Sequence, residues 1–332
     1  MQAIFYWFYS SLPKNNVPQR QRLSFGQPPP RVRASLREIA MSLAVRAVPF
    51  LFVFAWSTGW IVAGFSARLA DPLWFLFLRF AMAAAVIAAI AFAMGAPWPR
   101  SGREIGHAMM SGVLLHALYL AGVWWAVRNG VPSGVSGIMA GLQPVMTALL
   151  APAILGERIT ARQGTGVALG FAGIVLVLMP KLVGVPAEVY DAIVIPLTVN
   201  LVAMLSVTAG TFYQKRFVSG GDMRTTTAWQ YIAASLMMLP LLALFGKVEA
   251  EWNQTLILTM AWSVLALSVG GIFLFLYLIR RGEVSRATAY IYLVPAVSAL
   301  MAFVFFGETL TTVQLVGMAV TAVGVWLATR PG

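Results

Sequence analysis

The chain carries one unit twice. Residues 142–173, LQPVMTALLAPAILGERITARQGTGVALGFAG, are matched by residues 293–324, LVPAVSALMAFVFFGETLTTVQLVGMAVTAVG, at a constant offset of 151 positions. Pro144 pairs with Pro295, Glu157 with Glu308, Thr160 with Thr311 and Gln163 with Gln314, while Gly166 and Gly173 pair with Gly317 and Gly324. A repeat of this length dictates two equivalent structural units. In each, an apolar helix with a proline near its start ends at a Gly-Glu turn. A second apolar helix then begins at Thr-x-x-Gln, the pattern of a capping box, in which the Thr hydroxyl and the Gln side chain reciprocally satisfy backbone N–H groups. The turn and cap read as architecture, with a direct role for Glu157 or Glu308 in ligand or proton binding as the alternative.

The solvent for these helices is a bilayer. Of 332 residues, 60% are apolar and 10% charged, against about a quarter charged in soluble chains. A span needs roughly 20 apolar residues, and such segments recur near 47–66, 73–94, 107–127, 133–153, 163–179, 193–213, 226–245, 256–278, 287–305 and 313–328. The expected fold class is therefore an all-α integral membrane protein with about ten transmembrane helices. The short loops leave little mass for a soluble catalytic domain, so an enzyme is not expected. With no cysteine in the chain, disulfides, thiolate catalysis and cysteine-ligated metals are excluded. His107 and His116, the only histidines, lie nine residues apart, about 180° around a helix, and cannot form a metal pair. No cofactor and no metal are expected.

Residues 1–43 are proline-rich and basic and read as a disordered extension, either a mis-assigned start before Met41 or a tail that grips anionic lipid. The first five-helix repeat is placed at 44–181 and the second at 191–330. With the N-terminus inside, 18 Lys and Arg fall on the cytoplasmic side against 4 opposite, so the positive-inside rule puts both termini in the cytoplasm of a multi-pass inner-membrane protein. The net charge of +12 thus describes topology, not nucleic-acid binding. Five helices per half is odd, so the second copy enters from the opposite side. Arg158 and Arg162 flank the first Gly-Glu turn, whereas the second has no such neighbours. The expectation is two inverted five-helix repeats, the sequence mark of many secondary transporters.

The doubled Pro…Gly-Glu…Gln…Gly…Gly unit, with Trp56-Ser57-Thr58-Gly59-Trp60 in the first span and Pro72…Leu78-Arg79 in the second, resembles the EamA family of the drug/metabolite transporter superfamily. The resemblance covers the chain from about Ala44 onward. It implies ten helices in two inverted repeats and a transport role, with a small-molecule solute and membrane lipid as partners. It does not name the solute.

A transporter's site is expected near mid-membrane between the repeats, where buried polar groups are costly. Trp56 and Ser57 could present an aromatic wall and a hydroxyl, or pack with the hydroxyl on its own helix. Arg79 is the strong charge within a span; it meets a substrate carboxylate, or pairs with Asp71 or helix-end carbonyls while snorkelling outward. Pro144 and Pro295 each remove a backbone hydrogen bond, from the carbonyls of Ala140 and Ile291, and serve as gating kinks or as packing features. Tyr119, Gln143, Asn200 and Tyr292 complete the substrate-binding candidates. Trp124 and Trp125 are assigned to an interfacial aromatic belt. Gly166, Gly170 and Gly173, and Gly317, Thr321 and Gly324, form small-residue faces for close helix packing, within a subunit or in a homodimer. No acidic residue falls in a span interior, which favours neutral or zwitterionic solutes such as amino acids over unpaired organic cations.

Overall fold

In the computed structural model of the protein, the described residues are 36–155, 160–183, 190–218, 221–271, 274 and 294–329. They form α1 (Leu36–Leu69), α2 (Pro72–Ala93), α3 (Gly102–Arg128), α4 (Ser133–Met139), α5 (Leu142–Leu155), α6 (Ala161–Leu182), α7 (Tyr190–Phe217), α8 (Met223–Phe245), α9 (Gln254–Gly270), α10 (Val294–Phe306) and α11 (Thr312–Thr329). Six of these, α1, α2, α3, α6, α7 and α8, are long and apolar enough to cross a membrane. The shorter α9, α10 and α11 are also apolar. Large apolar side chains such as Phe92, Leu244 and Val304 stand exposed on the outside, while Ser57, Asn200, Thr211 and Gln230 are buried. This inside-out distribution is that of a bundle solvated by lipid.

Two boundaries differ from the sequence reading. Helix α1 starts at Leu36, so residues 36–43, LREIAMSL, assigned above to the disordered extension, are helical. The proline-rich stretch ends before them, and Leu, Arg, Glu, Ala and Met are good helix formers. The expected single span 133–153 is broken at Ala140-Gly141 into α4 and α5. Pro144 explains the break, because it has no N–H to offer the carbonyl of Ala140. That carbonyl instead accepts from the Gln143 N–H at 3.2 Å, and Gly141 N–H turns back to Ile138 at 2.9 Å. Pro144 itself sits in the first turn of α5, where an N–H has no intrahelical acceptor.

The repeat is visible in the helix caps. Thr160 Oγ1 accepts from Gln163 N–H at 3.3 Å and Thr160 N–H donates to Gln163 Oε1 at 3.0 Å. Thr311 and Gln314 do the same at 3.3 and 3.0 Å. Asp71 caps α2 by accepting from Leu73 and Trp74 N–H, and Asp222, 151 positions later, caps α8 by accepting from Arg224 N–H. The Arg224 guanidinium, 2.7 Å away, holds the Asp222 carboxyl below the usual carboxylate range. Helices α3 and α9 each contain a π segment, at Val113–Leu118 and Ser263–Gly270.

Loops from the two halves clasp each other. Asp71 N–H donates to Glu249 O at 2.9 Å and Glu251 N–H to Leu69 O at 2.7 Å, which joins the α1–α2 turn to the α8–α9 turn. In the first turn of α8 the Thr225 hydroxyl donates to Pro97 O at 3.0 Å, joining that helix start to the α2–α3 turn. Helix α2 packs on α8, and α6 packs on α11. The second contact is unusually close. A Cβ on Gly166 would lie 2.7 Å from Gly324 O, one on Gly324 would lie 2.7 Å from Gly166 O, and one on Gly317 would lie 2.6 Å from Gly173 O. The small-residue faces are therefore spent on each other within the chain.

Candidate functional site

Between the two halves lies a cavity of about 510 Å³. Its wall draws on α1, α2, α3, the α4–α5 junction, α7, α8, α9, α10 and α11. Arg79 enters from α2 and is 5% exposed. Its guanidinium carbon lies 5.5 Å from the centroid of Trp124, a cation–π distance, and its Nε and Nη1 have no hydrogen-bond partner. Among the described residues it forms no ion pair. Asp71, the partner considered above, spends its carboxylate on the α2 cap. Arg79 is thus neither paired with Asp71 nor extended to the surface; it is a buried cation in a cavity wall.

The other sequence candidates separate into two groups. Trp56, Tyr119, Gln143 and Pro295 line the same cavity as Arg79. Trp56 is held by the ring of Phe52 at 5.4 Å, and Gln143 presents an amide whose Nε2 is unpartnered. Ser57 and Asn200 do not reach the cavity wall. Ser57 is fully buried and its hydroxyl donates to Val294 O at 3.4 Å, tying α1 to the start of α10. Asn200 donates to Ser136 Oγ at 2.8 Å, fastening α7 to α4. Tyr292 lies outside the described residues, as does Glu157, and of Pro144 only its place in α5 is described.

Several wall residues were not singled out by sequence reasoning. Gln230 donates to Ser111 Oγ at 2.9 Å and to Gln214 Oε1 at 3.1 Å, so one amide links α8, α3 and α7 beside the cavity. Gln214 and Gln230 satisfy the criterion that selected Gln143, an amide inside an apolar span. His116 stacks on Tyr231 with centroids 4.6 Å apart, and both line the cavity. His107 lies elsewhere, with Nδ1 2.8 Å from the Tyr213 hydroxyl. Trp124 is not an interfacial belt residue. It is 2% exposed, and its indole N–H donates to Ser66 Oγ at 3.0 Å.

The cavity is asymmetric. Its wall extends to Val218, Gly221 and Met223 at the α7–α8 connection, the end of the bundle that carries Lys215, Arg216 and Arg224. At the opposite end, Ile61, Met301 and Ala302 form a separate buried cluster with Phe65 and Phe306 packed on it. The Phe65 and Phe306 rings meet edge-on at 5.0 Å, and Arg68 covers Phe306 at 4.9 Å. Gly307 takes a left-handed φ of +69°, which ends α10 and turns Glu308 back onto α4. The Glu308 carboxylate accepts from Ser133 N–H at 2.9 Å and Gly134 N–H at 2.8 Å, the first N–H groups of α4, where a negative charge is favoured.

Comparison with known proteins agrees with this architecture. The model of the EamA-like transporter family matches residues 45–179 and again residues 195–330. The "Uncharacterized inner membrane transporter YedA" of Escherichia coli (strain K12) is 26% identical over 84% of this chain and 89% of its own. The "Probable terminal-alkyne amino-acid exporter" of Streptantibioticus cattleyicolor is 27% identical over 76% of this chain and 82% of its own. The "Probable amino-acid metabolite efflux pump" of Salmonella typhimurium is 23% identical over 61% and 69%. A solved crystal structure shares the fold, with a TM-score of 0.58 at 19% identity over 85% of this chain and 95% of its own. With both halves matched by one family model, and a helical bundle built around a cavity between them, the chain belongs to the EamA-like transporter family.

Proposed function

We propose that this transporter moves a small carboxylate-bearing metabolite, an amino acid or related zwitterion, across the inner membrane by alternating access, in export or exchange. The observation that carries the reading is Arg79, a buried cation in the cavity wall whose Nε and Nη1 are both unpartnered. Leaving such a charge buried and unpaired is expensive. A solute carboxylate supplies the missing partner, and a fixed positive charge disfavours organic cations. The exporter and efflux-pump names carried by relatives fall in the same solute class.

The reading includes ten spans in two inverted five-helix repeats, at 44–181 and 191–330, with both termini cytoplasmic. Support comes from the caps spaced by 151 positions and from the reciprocal loop clasps. A cavity that reaches the basic end of the bundle, with an aromatic plug at the other, is the inward-facing half of an alternating-access cycle. In that cycle Glu308 latches the outer end by holding the start of α4.

Two experiments test this. Uptake into proteoliposomes is screened against amino acids, nucleosides and hydrophobic cations; amino acids are expected to be preferred, and preferential transport of cations overturns the ranking. The latch is tested by site-directed labelling, which the cysteine-free sequence makes clean. Ile61→Cys places a thiol beneath the plug. Adding Glu308→Ala removes two charge-assisted hydrogen bonds, and a loss of about 1.4 kcal/mol is a tenfold shift in the gate equilibrium. Labelling by an impermeant maleimide from the Glu308 side is expected to rise about tenfold; unchanged labelling refutes the latch.

A further inference from the structure

Among the described residues, the unpartnered buried polar atoms of the cavity-lining side chains are Trp60 Nε1, Arg79 Nε and Nη1, and Gln143 Nε2. All are N–H donors, and Trp60 and Arg79 have no acceptor atom at all. The unpartnered buried Asn200 Oδ1 and Ser298 Oγ belong to residues outside the wall. Among the described residues, no Asp or Glu lines the wall. The wall therefore holds unpartnered donors and a fixed positive charge, with no carboxylate among the described residues to balance that charge.

We infer that the preferred solute is a net-anionic carboxylate whose second polar group is also an acceptor and which carries no free ammonium, as in an N-acylated amino acid. This rests on the carboxylate-transport reading above and puts an anion in place of the zwitterion as the solute bound best. Buried donors left without acceptors are destabilising, so the ligand that binds best is the one bringing oxygen acceptors to Arg79 and to the Trp60 and Gln143 donors together. A free amino acid satisfies Arg79 with its carboxylate but adds an ammonium, a second positive charge with three more donors, to a wall whose described residues offer it no carboxylate. Acylation removes that charge and puts a carbonyl oxygen in its place. The apolar remainder of the wall, including Phe52, Trp56 and Leu115, accommodates an aliphatic or aromatic side chain.

The test compares N-acetyl-leucine, leucine and isopentylamine, which differ only at the two poles, in proteoliposomes of the full chain. N-acetyl-leucine is expected to half-saturate transport at a concentration at least tenfold below leucine, with isopentylamine not transported. Trp60→Phe, which removes one donor and keeps an aromatic ring, is expected to raise the half-saturating concentration of N-acetyl-leucine about tenfold more than that of leucine. Gln143→Glu, which replaces a donor with an acceptor, is expected to shift the preference toward leucine. Transport of leucine at equal or better affinity than N-acetyl-leucine overturns this inference and leaves the amino-acid reading standing. Transport of isopentylamine alone, or of none of the three, overturns both.

Discussion

Replacing Arg79 with Gln is expected to raise the half-saturating concentration of a carboxylate solute ten- to a hundredfold while leaving the folded protein at least as stable. The first effect follows from the loss of charge-assisted hydrogen bonds to a carboxylate, about 1.5–3 kcal/mol, each 1.4 kcal/mol being tenfold. The second follows from burial. An arginine that is 5% exposed, with Nε and Nη1 unpartnered, burdens the fold, and removing an uncompensated charge relieves that burden. Function and stability therefore move in opposite directions, the pattern of a residue kept for binding. Transport kinetics and thermal unfolding in detergent, on the same preparation, decide the matter. A variant that loses both transport and several degrees of melting temperature would make Arg79 a structural residue.

The largest effect on folding is expected at the α6–α11 contact. Gly324→Leu places a side chain where a Cβ alone would lie 2.7 Å from Gly166 O, and the obstructing atoms are backbone, which cannot rotate away. Overpacking typically destabilises by about 1–3 kcal/mol, and a backbone clash belongs at or above the top of that range. On the same helix Val323 is 52% exposed, so Val323→Leu, facing lipid, is expected to change stability by less than about 0.5 kcal/mol. Thermal unfolding of the two variants side by side checks this. Equal stability would mean that the glycine faces do not carry the packing of α6 against α11.

The membrane class, the internal duplication and the capping boxes were legible in the residues because each depends on local chemistry. Thr160 and Gln163 need only each other to form a cap, and the offset of 151 positions needs only the sequence. Which polar side chains converge on the cavity was much less legible. Spans that are apolar on every side have no polar face to mark which way they turn, so the sequence can nominate an amide without saying what it meets. Asn200 and Ser57 satisfied the same criterion as Gln143, yet Asn200 is bonded to Ser136 and Ser57 to Val294, both contacts between segments distant in sequence. Trp124 looked like a belt residue from its position near a helix end. The neighbour that overrides that position, Arg79, comes from a different helix. The break before Pro144 was partly legible, since the freed Ala140 carbonyl follows from the proline, but its capture by the Gln143 N–H does not.

Solute counterflow in proteoliposomes tests the central claim most directly. Vesicles are loaded with unlabelled leucine or N-acetyl-leucine, and entry of the same labelled compound is followed across a range of outside concentrations. An alternating-access carrier that binds the carboxylate at Arg79 predicts entry that saturates, is accelerated by solute on the far side, and is lost at low concentration in Arg79→Gln. Entry that rises linearly with concentration and ignores solute on the far side would contradict the account and make the protein a passive pore.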